Sequence, residues 1–229
     1  MSTNVILIAG TILEHEVLGT LGESTWHEVP RMKEIGAIGE TSEAKEKTTL
    51  SDTIKKYDSG MRDAPDKGLR GQYVPVQKST DPYFDEYTLQ QAFIKRCRNE
   101  EEFNVRVKWP DGEINGFLFK ALGFEWDQGT QEDWKLFTVN GKQNSRVVYE
   151  VTVSGTATVA VGATVPLTLT TVPAAIDLSD GTGVVRWVSD AETIATVDDA
   201  GVVTGVLAGT ATITAEYRGV MGSVEVTVS

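Results

Sequence analysis

The stretch IATVDDAGVVTGVLAGTATITA occupies residues 194–215. Within it Ala211, Ile213 and Ala215 alternate with Thr210, Thr212 and Thr214, a period of two that gives a strand one apolar and one polar face. Gly201, Gly205 and Gly209 punctuate it at turn or bulge positions where a Cβ would clash. Outward from this stretch, TATVAV at 156–161, LTLT at 167–170 and VEVTV at 224–228 repeat the alternation, with turn residues between them. Several such strands within about 80 residues predict a small antiparallel β-sandwich. Trp187, Ile194, Val197, Ile213 and Val226 are its expected core.

The spacing Trp187-x-Ser189, Ile194-Ala195-x-Val197-Asp198-x-x-Gly201-x-Val203-Thr204-Gly205, Gly209-x-Ala211-x-Ile213-Thr214-Ala215 resembles the bacterial immunoglobulin-like group 2 domain. The resemblance covers the last third of the chain. Such domains occur in bacterial adhesins and in phage virion proteins, so the resemblance implies a fold and leaves the task open.

The rest of the 229 residues differs in composition. Of 21 Lys and Arg, 19 precede residue 151, as do 25 of 33 Asp and Glu, so each part carries a net charge of −6. The break predicts two domains, 1–150 and 151–229, joined near Val151 to Gly155 and separable. The total of −12 speaks against tight nucleic-acid binding, because Lys and Arg supply most of that affinity. The start MSTNVILIAGTILEHEV lacks a basic leader and reaches Glu14, His15 and Glu16 quickly, so neither a signal peptide nor a membrane span is expected. With one cysteine, Cys97, no intrachain disulfide can form.

In the first part, FNVRVKWPDGEINGFLFKALGF at 103–124 reads as a β-hairpin. Phe103, Val105, Val107 and Trp109 share one face, Asn104, Arg106 and Lys108 the other, and Pro110-Asp111-Gly112 supplies the turn. Phe117, Leu118 and Phe119 are apolar on both faces, so a second sheet, a helix or another subunit must cover the outer one. Upstream, Leu89, Ala92, Phe93 and Cys97 have helical spacing, with Thr88-x-x-Gln91 as a capping box. Residues 58–82 are rich in Gly, Pro and charge and predict a long loop that orders only against a partner.

The charged segment 26–60, the loop, the helix and the hairpin, in that order and ahead of an immunoglobulin-like domain, resemble the major tail tube protein of lambda-like long-tailed bacteriophages. That resemblance spans roughly residues 1–150. It implies a mainly β chain: a tail-tube β-sandwich or barrel with one packed helix and a long loop, then an immunoglobulin-like sandwich. It further implies a structural virion protein of the phage tail, assembled in the host cytoplasm. Stacked rings of six subunits would form a tube through which DNA passes without sequence-specific binding. The partners would be other copies of the chain, other tail proteins at the tube ends, and a cell surface touched weakly by the immunoglobulin-like domain. The alternative is a bacterial surface or adhesion protein with an immunoglobulin-like display module.

The inventory for catalysis is thin, and neither an enzyme nor a cofactor is expected. His15 and His27 lack ligand-spaced partners and read as surface residues, while Cys97 reads as a small core hydrophobe. Glu100-Glu101-Glu102 and Asp198-Asp199 do not follow a calcium-loop pattern and read as a helix end and a strand turn; Asp180-Gly181-Thr182-Gly183 reads as a turn. For subunit contact the candidates are Lys55, Tyr57, Arg62, Asp63, Lys67 and Arg70, where mixed charge can set register, together with Phe117 and Phe119.

Overall fold

The computed structural model describes residues 4–6, 9–18, 24–39, 41–46, 57–63, 66–75, 79–127, 135–173 and 185–229, with backbone alone at 4–6, 24, 41–46 and 57–63. In chain order the elements are β1 (Asn4–Ile6), β2 (Ile12–Leu18), β3 (Ser24–Glu28), β4 (Met32–Gly36), β5 (Thr41–Glu46), β6 (Tyr57–Asp63), β7 (Asp66–Gln72), α1 (Phe84–Arg98), β8 (Glu102–Lys108), β9 (Ile114–Asp127) and β10 (Leu136–Gln143). Then come β11 (Glu150–Gly155), β12 (Thr158–Val159), β13 (Thr164–Val172), β14 (Arg186–Ser189), β15 (Ala195–Val197), β16 (Val202–Gly205), β17 (Gly209–Tyr217) and β18 (Val220–Val228). The described residues are mainly β, as expected, with one helix among them.

Packing groups the chain differently from composition. One compact unit holds Met1–Ile8, Val29–Glu102 and Phe119–Val147; the other holds Ala9–Glu28, Phe103–Leu118 and Val148–Ser229. The long strand β9 contributes its first residues to the second unit and the rest to the first.

In the first unit the strands run in the order β1, β4, β7, β10 and the later part of β9, all antiparallel. Strands β5 and β6 pair with each other. The segment 58–82 therefore departs from expectation: it holds most of β6 and all of β7, a strand with a neighbour on each side. Hydropathy hides β7 because its buried positions are Lys67, Leu69 and Gly71, of which only Leu69 is conspicuously apolar. Gly71 is required there, since the Phe137 ring of β10 occupies the space a Cβ would take.

Helix α1 begins a turn earlier than the capping box implied. Asp81 turns the chain, its carbonyl accepting from Phe84 N (3.1 Å) and its carboxylate from Tyr83 N (3.0 Å). Thr88 is inside the helix and its hydroxyl donates back to the Phe84 carbonyl (2.9 Å), so it caps nothing. Asp85 and Glu86 in the first turn and Lys95, Arg96 and Arg98 in the last complement the helix dipole. The buried face is Gln90, Phe93, Ile94 and Cys97; Ala92, expected on it, is exposed. Cys97 is a core residue as anticipated, and burial pushes its thiol pKa up.

In the second unit the predicted hairpin is present as β8 and β9. Gly112 adopts φ +93° in the turn, and Trp109 and Glu113 close it through a 2.8 Å backbone bond. Phe103, Val105 and Val107 are buried, as expected. Strand β2 lies between β8 and β3, with Glu14 opposite Arg106 and His15 opposite Val105 and His27. His15 is fully buried rather than on the surface, its ring edge-on to Phe103 (6.0 Å) and His27 (6.1 Å). The reason is that β2 is covered on both faces: Leu13 and His15 are buried on one, Glu14 and Glu16 on the other.

Beyond residue 148 this unit forms the predicted sandwich from two sheets, β11-β13-β16-β15 and β12-β18-β17-β14. Ile213 and Val226 are central to its core, and Trp187, Ile194 and Val197 pack against it half-buried. At the β15–β16 turn the Asp198 carboxylate accepts from Ala200 N (3.0 Å) and Val202 N (2.8 Å), which accounts for that acidic pair as turn chemistry. Gly201 follows at φ +77°, where a side chain would strike the Trp187 ring.

Candidate functional site

Within the first unit, the sheet face that carries Arg70 is open and charged. Arg70 of β7 pairs with Asp127 (2.6 Å) at the end of β9 and lies 3.8 Å from Glu34 of β4; Lys142 of β10 pairs with Asp66 (2.7 Å). Between these pairs is a concavity of about 640 Å³, walled by Glu34, Asp66, Arg70 and Asp127 and floored by Gly68 and Asn140. The arrangement offers both signs of charge to solvent, beside the exposed apolar side chain of Leu122. Such a face can set register between copies without supplying much affinity.

Of the residues expected at subunit contacts, only Arg70 is placed on this open face. Lys67 has the opposite orientation on β7 and is 1% exposed, and burial lowers its ammonium pKa to about 8. Phe117 and Phe119 are buried within the chain itself, the Phe119 ring filling the space above Gly141. These three are therefore corrected to interior residues: period-two alternation turns Lys67 inward, and the chain supplies its own cover for both phenylalanines. Tyr57, Arg62 and Asp63 belong to β6, described as backbone alone, and Lys55 lies outside the described residues.

The second unit holds a polar cluster on the face of β8 that carries Asn104, Arg106 and Lys108. Glu14, at the centre, accepts from Arg106 Nε (2.5 Å) and from Lys108 Nζ (2.9 Å). Arg106 also donates through Nη1 to the Gly219 carbonyl (2.9 Å), and its guanidinium lies 4.4 Å from the centre of the Trp26 ring. Trp26 Nε1 donates to Glu216 (2.6 Å). Glu16 accepts from Arg186 Nη1 (2.6 Å) and Asn104 Nδ2 (2.7 Å), and Arg218 Nη1 donates to Asn104 Oδ1 (3.3 Å). Strands β2, β3 and β8 thus meet the β17–β18 turn and β14 of the sandwich. A small apolar cluster of Val148, Val151, Tyr217 and Val220, with Ile114 against it, belongs to the same unit.

A signal for this cluster was present in the sequence. Glu14 and Glu16 recur with period two, as do Asn104, Arg106 and Lys108, and antiparallel pairing sets opposite charges side by side. Arg186 and Arg218 are the only basic residues after position 150, and both take part.

Among the described residues no group of three or more His, Cys, Asp or Glu could hold a metal ion. No described helix is long and apolar enough to cross a membrane.

Residues 147–228 match the bacterial Ig-like domain (group 2). No curated protein sequence matches the chain. Among solved structures, similar chains come from the tail of an empty GTA particle with C6 symmetry (15% identity, TM-score 0.41, covering 62% of this chain and 98% of that one) and from the anti-feeding prophage baseplate (12%, 0.40, 64% and 97%). A third is from the SPP1 tail tube (10%, 0.39, 64% and 80%).

Proposed function

We propose that the chain is a structural protein of a phage tail whose copies join into rings and stack into a tube. The observation that carries this reading is the order of parts along the chain. A strand-rich segment is followed by one packed helix, the Trp109-Pro110-Asp111-Gly112 hairpin and an Ig-like group 2 domain. Rings of six, passage of DNA and an outward position for the Ig-like domain follow from the resemblance to lambda-like tube proteins. Two features of the fold suit it. Among the described residues β1 pairs only with β4 and β3 only with β2, which suits strands that extend a sheet into another copy. An acidic chain also suits a DNA conduit, because a basic wall would trade counterions for phosphate contacts and hold the DNA back.

On this reading the chain catalyses nothing and takes no cofactor. Negative-stain microscopy of the purified full chain over a range of concentration and salt is the test. Rings or tubes are expected; particles that remain single under every condition would favour the surface-adhesion alternative.

A further inference from the structure

The Ig-like domain reads from composition as a separable appendage, yet the second unit shows its β17–β18 turn seated on the polar face of β2, β3 and β8. We propose that this domain is a structural member of the N-terminal sheet: strands β2 and β3 keep their pairing only while the turn is in its seat.

Three observations carry the proposal. The first is the fit of the turn. Arg218 and Gly219 adopt φ +51° and +80°, the left-handed pair of a two-residue hairpin turn. A Cβ on Gly116 of β9 would collide with the Arg218 carbonyl oxygen, and one on Gly219 would lie 2.5 Å from Arg106 Cδ and 2.7 Å from the Trp26 ring. A glycine on each side therefore permits the approach.

The second is the use of charge. A domain with only two cations has both bound to side chains of the N-terminal segment: Arg186 to Glu16 and Arg218 to Asn104. The third is what the turn completes. Glu14, Glu16, Arg106 and Arg218 are all buried, and Arg106 relies on the Gly219 carbonyl for one of its hydrogen bonds. Trp26, the large side chain of β3, is held between the Arg106 guanidinium and Glu216. Among the described residues β3 is an edge strand paired with β2, so one ladder and whatever packs on its face hold it in the sheet.

The test is native-state hydrogen exchange on the full chain across a urea series. The amides of β2 and those of Tyr217 and Val220 should lose protection together, along one urea dependence. Exchange of Tyr217 and Val220 through an opening that leaves β2 protected would overturn the proposal. Gly116→Ala in the full chain supplies the second arm. It should lower β2 and β3 protection at least about tenfold while α1 keeps its wild-type protection. Unchanged β2 protection in a variant whose Tyr217 and Val220 amides report an unseated turn would also overturn it. If Gly116→Ala does not fold, the wild-type series decides alone. Both measurements use the unassembled chain, so they stand or fall apart from whether it forms tubes.

Discussion

Lys67 shows how one residue can carry the imprint of its fold. Its ammonium is held at about 8 by burial, against an ordinary value of 10.5. Between these values the unfolded chain binds a proton that the folded chain does not, so this group makes stability rise with pH across the window and imposes its full cost below pH 8. Urea unfolding of wild type and Lys67→Met at pH 7 and pH 10 should therefore differ. The change should favour wild type at the higher pH by about 1.4 kcal/mol for each pH unit between the folded value and pH 10, and an equal gap at both pH values would refute it. Gln90 makes the complementary case of a buried polar group that is satisfied. Its side chain accepts from Val74 N (2.9 Å) and donates to the carbonyls of Gln72 (2.8 Å) and Pro30 (3.2 Å), tying α1 to the ends of β7 and of the segment before β4. Gln90→Leu orphans these backbone groups and should cost roughly 2–4 kcal/mol in urea titration. The apolar spacing that exposes a helix in sequence marked Phe93 and Cys97, but could not mark Gln90, because a buried amide is recognisable only from the carbonyls and N–H that converge on it.

At the scale of elements, legibility follows from where each strand finds its inward residues. Strands β8 and β17 have apolar side chains at every second position and a glycine in the turn that follows, and both are plain in the sequence. Strand β7 has the same geometry with Lys67 and Gly71 inward, so its period is present but carries no hydropathy signal. The two faces of β7 give a paired prediction. An added Cβ at Gly68 meets nothing within 4 Å, whereas one at Gly71 enters the Phe137 ring. Gly68→Ala should raise stability by about 0.5–1 kcal/mol through the unfolded chain's lost freedom, while Gly71→Ala should lower it by about 2 kcal/mol or more through overpacking. Thermal or urea midpoints of the two variants decide it, and similar values would show that β7 is not seated on β10 as described. The polar cluster that mounts the sandwich was only half legible: its period-two charges were in the sequence, but their cover was not. Alternating Asn104, Arg106 and Lys108 look like a solvated face until the sandwich that covers them is known, and nothing local announces a cover contributed by residues more than 100 positions away.

For the whole molecule, two classes of ion pair should respond differently to salt, and the difference separates assembly from internal mounting. Arg70–Asp127 and Lys142–Asp66 lie on an open face with side chains a third or more exposed. Pairs of that kind, and any formed with another copy, are screened once the Debye length falls from about 10 Å at 0.1 M salt to about 3 Å at 1 M. Glu14–Arg106 is buried on both sides and keeps its strength, since removing one partner of such a pair costs about 3–5 kcal/mol while screening barely reaches it. If charge on the open faces sets register between copies, tubes formed at low salt should shorten or dissociate as salt rises. The Trp26 emission, taken as the difference between the wild type and Trp26→Phe because the chain has five tryptophans, reports the Arg106 guanidinium over its ring and the Glu216 acceptor and should stay unchanged across the same series. Arg106→Met should do the reverse, shifting Trp26 emission at every salt concentration. Sedimentation and fluorescence on the same samples distinguish the outcomes. Tubes indifferent to salt would exclude exposed charge as the source of register, and a Trp26 signal that followed salt in step with dissociation would place the mount itself at the contact between copies.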